Sequence, residues 1–219
     1  MEDLALQMNS APLSAPLLSR QLVNRHNDLN RINTYINRDL QLTAEQLARD
    51  NRTLFPAGAS IAMMVMKHGN GEVNAYVGSA DFTDDARYGH VDMVTARRSP
   101  GSTLNPFIYG IALDQGLIHS ESLLMDVPLI FNDYRPTNFN VGFSGAVSVS
   151  EALQTSLNIP AVQVLEQLSP LTFYAKLQSA GANLVLPNGA KPSLAMGLGG
   201  VDIQLQQLVS LYQVSPFPH

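Results

Sequence analysis

The feature that most limits the fold is a turn signal flanked on both sides by β-prone sequence. Ser60 to Met66 and Glu72 to Val77 are apolar segments suited to a pleated surface, and Lys67-His68-Gly69-Asn70-Gly71 separates them. Asn-Gly readily takes the positive φ values that tight turns need, so the pattern predicts a β-hairpin. Much of the remainder reads as helix. Thr43-Ala44-Glu45-Gln46 matches a capping box opening a helix to about Leu54, which Pro56-Ala57-Gly58 stops. Ser99-Pro100-Gly101-Ser102 leads into an apolar helix from Thr103 to Gln115, with Pro106 near its first turn and Gly116 closing it. Further helices are expected at Ser148 to Ser156, Ala161 to Gln167, Thr172 to Ala180 and Leu205 to Val214. Ala11 to Pro16 reads as a loop running into a short amphipathic segment, and Ile32 to Ile36 alternates loosely like a strand. The fold class is α+β: helices packed on a small, incomplete antiparallel sheet of which two strands are visible.

Composition excludes several functions. With 45% apolar and 14% charged residues in 219, the chain is able to bury a core and is not a disordered tail. A net charge of -5 disfavours nucleic acid and anionic membrane surfaces as partners. The absence of cysteine removes disulfides, thiolate catalysis and thiolate metal sites. No apolar run reaches the roughly 18 residues of a membrane span. Five histidines lack metal-ligand spacing, so neither metal nor cofactor is expected. Asp81, Asp84 and Asp85 read as a solvated loop, because the glycine and closing glutamate of a calcium loop are missing. Gly197-Leu198-Gly199-Gly200 reads as a turn before the last helix, and Met63, Met64 and Met66 as strand packing.

Two stretches carry chemistry. Ser102 opens an apolar helix, where backbone N–H groups and the helix dipole favour developing negative charge. Position alone favours a plain N-cap there. Ser156 and Asn158 flank one residue before Pro160, a pattern that is common by chance. Together the two stretches resemble the Ser-x-x-Lys and Ser-x-Asn motifs of the penicillin-recognising transpeptidases. Longer runs agree: Asp85 to Met93, Ala96 to Ser102, Phe107-Ile108-Tyr109-Gly110, Phe131-Asn132-Asp133-Tyr134-Arg135-Pro136-Thr137-Asn138-Phe139 and Ser156 to Val162. The chain resembles the transpeptidase domain of class A (bifunctional) penicillin-binding proteins of the 1C type from about Leu17 to Val214.

The resemblance implies a β-lactamase-like fold and a place at the periplasmic face of the bacterial inner membrane. It implies that Ser102 is the nucleophile attacking the D-Ala-D-Ala carbonyl of a peptidoglycan stem peptide, or a β-lactam. Ser156 then shuttles a proton and Asn158 holds the substrate amide. It also implies a linker and flanking segment over 1–56, a partial transpeptidase domain over 57–214 and an unrelated tail over 215–219.

The sequence departs from the family where it matters most. Asn105 stands where the motif has its lysine base. A spacing of three places residues 102 and 105 on one helical face about 5–6 Å apart, the geometry that lets an amine take the serine proton. A carboxamide is able to hydrogen-bond the hydroxyl but has no basic lone pair. Losing a positioned base costs about 10²–10⁴ in rate. Lys67, Lys176 and Lys191 follow Met64, Phe173 and Asn188 at that spacing, so the motif has not moved elsewhere. Lys67-His68-Gly69 imitates the third motif, Lys-Thr/Ser-Gly, but falls in the hairpin turn. In the family that motif follows the region matched here, so the reading is of a carboxyl-terminally truncated, severely impaired domain. The alternative is a catalytically dead binding module of the cell envelope. A sheet without its later strands also predicts a homo-oligomer formed through the hairpin edge.

Overall fold

The computed structural model describes residues 14–130, 136–138 and 142–214. The tail at 215–219, Ala11 to Leu13, and the family-like residues 131–135 and 139 lie outside the described residues. The chain divides into two compact units between Ala96 and Arg97, within the stretch read from sequence as one partial domain.

In the first unit, α1 (Pro16–Arg25) and α2 (Arg38–Asn51) accompany the hairpin of β1 (Met63–Met66) and β2 (Val73–Val77). The strands pair antiparallel from Met63↔Val77 to Met66↔Val73, with a bulge between Val65 and Met66. Lys67 sits in the turn, paired with Glu72 at 3.7 Å and largely solvated, as expected for a turn lysine. Ala44 and Ala48 on α2 pack against Ala75, Val77 and Ala80, and their small side chains let the helix lie close on β2.

The start of α2 differs from the expectation. Asn37 caps it by accepting from the Leu40 N–H at 3.0 Å, so Thr43 falls inside the helix and bonds the Asp39 carbonyl. Both residues are good caps, and the earlier one wins because residues 35–41 are tied to β2. The Asn37 N–H donates to the Asn74 carbonyl and Asn74 Nδ2 donates to the Tyr35 carbonyl. Ile32 to Ile36 forms no strand ladder and runs as irregular chain. The acidic cluster is divided among local contacts: Asp81 with Thr83 and Arg52, Asp84 capping residues 85–87, and Asp85 with His90.

In the second unit, β3 (Arg97–Arg98) leads to α3 (Asn105–Asp114), β4 (Leu123–Asp126), β5 (Gly145–Ser148) and α4 (Val149–Gln154). Then come α5 (Asn158–Leu168), α6 (Pro170–Ser179), β6 (Ile203–Gln204) and α7 (Leu205–Val214). The helices expected from sequence are all present, with ends shifted by a few residues. The sheet is not the single one expected: among the described residues, three two-stranded antiparallel pairs form, β1 with β2, β3 with β6, and β4 with β5. Helices α3 and α5 are buried on most sides, with Phe107, Ile108, Tyr109 and Ala112 meeting a core that includes Val164, Leu165, Phe173 and Met196. Burying a side chain such as Phe173 contributes about 1.5–3 kcal/mol, so this core dominates the stability of the unit.

Candidate active site

Ser102 lies in a 3-10 turn, Gly101–Leu104, that runs directly into α3. Several contacts immobilise this turn. Ser99 Oγ donates to the Gly199 carbonyl at 2.7 Å, and the Thr103 N–H donates to the Pro100 carbonyl. Gly199 has φ 87, and a Cβ there would lie 2.9 Å from the Gly101 nitrogen and 3.0 Å from its Cα. Only glycine permits both that φ and that approach. From α7, Tyr212 Oη donates to the Thr103 carbonyl at 2.6 Å, and its ring meets Phe107 edge-on with centroids 4.7 Å apart. The pairing of β3 with β6, Arg98↔Ile203, brings these distant segments together. Ser102 is left half-buried, and its side chain makes no hydrogen bond among the described residues.

Asn105, three residues on, is enclosed. It is 2% exposed, and among the described residues neither its amide oxygen nor its amide nitrogen has a hydrogen-bond partner. The bond to the Ser102 hydroxyl that sequence spacing allows is not formed. One turn along, the Tyr109 hydroxyl is also buried without a partner among the described residues, and burial pushes its pKa well above the usual phenol range. Native interiors rarely leave such groups unpaired, because each one costs about 1–3 kcal/mol. Asn105 therefore stands out as a buried polar side chain without a protein partner among the described residues.

Ser156 and Asn158 occupy the junction of α4 and α5, both of which pack against α3. Helix α4 ends in a Schellman motif: the Leu157 N–H bonds the Ala152 carbonyl and the Ser156 N–H bonds the Leu153 carbonyl. That motif puts Ser156 in the left-handed region, φ 54, with its side chain exposed. Helices α3 and α6 end in the same motif, but with Gly116 and Gly181 at the equivalent position. Ser156 therefore occupies a backbone conformation that glycine would adopt with less strain. Asn158 is half-buried, and its Nδ2 donates to the Thr137 carbonyl at 2.6 Å, leaving one amide hydrogen and the amide oxygen for other partners.

A cavity of about 360 Å³ opens beside Ser156, lined by Asn138, Gly142, Ser144, Glu151 and Thr155 among others. Neither Ser102 nor Asn105 lines it, and no hydrogen bond joins these two to Ser156 or Asn158 among the described residues. Sequence reasoning missed Gly199, Tyr212 and the carboxylate of Asp126. The signal for the last was present: a lone charge inside Leu123-Leu124-Met125-Asp126-Val127.

Comparison with known proteins bears on the family of the chain. The family model for the penicillin binding protein transpeptidase domain matches residues 61–190. Penicillin-binding protein 1C of Escherichia coli is 48% identical over 211 residues, covering 96% of this chain and 27% of that protein. Penicillin-binding protein 1F of Bacillus subtilis is 30% identical over 167 residues, 74% of this chain and 22% of that one. The chain thus spans about a quarter of the length of these relatives. Among solved structures, the PonA1 protein of Mycobacterium tuberculosis in complex with penicillin V superposes with a TM-score of 0.74 at 22% identity. That match covers 92% of this chain and 58% of PonA1 and establishes the shared fold. With a family model spanning more than half its residues and a matching fold, the chain belongs to the penicillin-binding protein transpeptidase domain family.

Proposed function

We propose that this chain is a peptidoglycan transpeptidase domain by descent, working at the periplasmic face of a bacterial inner membrane, whose acyl transfer is severely impaired. In this reading Ser102 Oγ attacks the carbonyl of a D-Ala-D-Ala stem peptide or a β-lactam. A bond forms between Oγ and the carbonyl carbon, the carbonyl C–N bond breaks, and the serine proton ends on the departing nitrogen. Ser156 relays that proton and Asn158 holds the substrate amide. The observation carrying the impairment is Asn105: a buried, unpaired carboxamide at the position from which the family's lysine would take the proton. An amide cannot accept it at neutral pH.

A second reading is a binding module of the cell envelope that docks stem peptide or β-lactam without covalent chemistry. The unpaired Asn105 amide favours it equally. Labelled penicillin followed by intact-mass measurement separates the two. A covalent adduct that vanishes in Ser102→Ala supports residual acyl transfer; saturable binding without added mass supports the module. Asn105→Lys is expected to raise adduct formation by about 10²-fold or more, in this chain or in a fusion adding a relative's Lys-Thr/Ser-Gly strand. If Ser102 stays unmodified in both, the nucleophile is misassigned.

A further inference from the structure

The Ser156–Asn158 tripeptide is held on its far side by a buried carboxylate that sequence motifs do not include. Asp126 ends β4 and is 0% exposed. Its Oδ1 accepts from Asn138 Nδ2 at 2.8 Å, and its Oδ2 accepts from the Ser144 N–H at 2.7 Å. Asn138 Nδ2 also donates to the Gly142 carbonyl at 3.1 Å. On its other side, Asn138 Oδ1 accepts from the backbone N–H of Asn158 at 3.1 Å. That N–H belongs to the first residue of α5, whose N-cap, Leu157, has no side chain able to cap it. Asn138 thus caps a helix that begins twenty residues away.

The order of these bonds has a physical cause. An ionised carboxylate only accepts hydrogen bonds, so the side of Asn138 facing Asp126 has to be its NH₂ group. The amide oxygen is thereby aimed at Asn158. Without the charge, only the longer bond to the Gly142 carbonyl keeps the amide from turning over and presenting a donor to the Asn158 N–H, which would break the cap. The Thr137 carbonyl, next in sequence to Asn138, receives the Asn158 side chain. Backbone and side chain of Asn158 are both registered against residues 137–138, and Asp126 fixes the orientation of that register.

We propose that Asp126 and Asn138 are positioning residues for the Ser156–Asn158 loop, Asp126 acting through the orientation it imposes on the Asn138 amide. The proposal rests on the reading that Ser156 and Asn158 face the ligand. Asp126→Asn leaves one oxygen for two donors; the Ser144 N–H is a fixed backbone group that holds that oxygen, so the new amide nitrogen faces Asn138 Nδ2 unless Asn138 turns over, and either arrangement loses a bond. The reciprocal swap, Asp126→Asn together with Asn138→Asp, restores a donor opposite an acceptor. The amide introduced at position 126 then faces the carboxylate introduced at position 138, which still accepts from the Asn158 N–H.

The primary test is amide hydrogen exchange of the isotope-labelled chain, which needs no ligand. Asp126→Asn is expected to speed exchange of the Asn158 amide by about tenfold, with core amides of α3 little changed, as losing one ordinary hydrogen bond locally would do. The swap is expected to recover most of that protection. Unchanged exchange at Asn158 in Asp126→Asn, or equal acceleration throughout the second unit, overturns the proposal. So does a swap no better than the single variant. A second readout, in an Asn105→Lys background, is penicillin acylation against concentration. The limiting rate is expected to fall about tenfold in Asp126→Asn with little change in half-saturation. Absence of any acylation in that background counts against the reading of the site, while the exchange data still decide the positioning role.

Discussion

Ser156 and Asn105 are both locally unfavourable residues, and each should give a more stable chain when its side chain is replaced by one the backbone or the core prefers. Ser156 sits at φ 54 in a helix-ending motif whose two counterparts use glycine. Ser156→Gly is therefore expected to stabilise by about 1 kcal/mol while abolishing ligand-dependent labelling. Asn105 buries two unpaired polar atoms, so Asn105→Leu, of similar volume, should raise the melting temperature by a few degrees. Asn105→Lys should lower it, because burial disfavours the ammonium; the same burial depresses the amine's pKa and makes it a better base near neutral pH. Thermal denaturation of the three variants beside penicillin labelling checks all of this, and a destabilised Ser156→Gly would refute the strain argument. At this scale Ser102, Asn105, Ser156 and Asn158 were singled out from the sequence because their spacing resembles a motif. Asp126 showed only as a lone charge in an apolar run, and its pairing with Asn138 did not show at all, since that lies in contacts across 12 and 20 residues.

Elements with a strong local signal were readable: the hairpin from its apolar, β-prone segments on either side of Asn70-Gly71, the helices from their apolar spacing. Strands β3 and β6 were not, being two residues each and paired across about a hundred residues. Nor were β4 and β5, too short to show a period of their own. Sequence also hid how the sheet edges are closed. Gln41 on α2, 0% exposed, donates to the Tyr76 carbonyl at 2.9 Å and accepts from the Tyr76 N–H at 2.7 Å, acting as one residue of a missing strand along β2. Gln163 on α5 does the same for Met125 of β4, bonding both its N–H and its carbonyl. A helical glutamine thus substitutes for a neighbouring strand in each unit. Gln41→Leu leaves both Tyr76 groups unpaired in a buried place and should cost about 2–4 kcal/mol. A shift of the denaturant midpoint at constant slope would measure it; no shift would mean that the edge bonds are replaced without loss.

For the whole molecule, the edge left without such a glutamine is where association is expected. Tyr76 turns its N–H and carbonyl away from β1 toward Gln41, so its partner Met64, in the same non-hydrogen-bonded pair, turns its own groups outward on the opposite edge. Among the described residues, no strand other than β2 pairs with β1. From Ala59 to Met66 the sequence carries no charge and no proline, so it has none of the features that deter edge-to-edge pairing. A second copy fits best, because an antiparallel strand meeting its own image about a two-fold axis is self-complementary in both hydrogen bonds and side chains. The chain is expected to form dimers through β1 at micromolar concentration. Val65→Lys at the exposed position of that strand should shift it toward monomer without unfolding the hairpin, because lysine on an edge repels its own image. Sedimentation of both forms tests this. A native chain that sediments as a monomer, or a Val65→Lys variant as dimeric as the native one, would place the partner of β1 elsewhere.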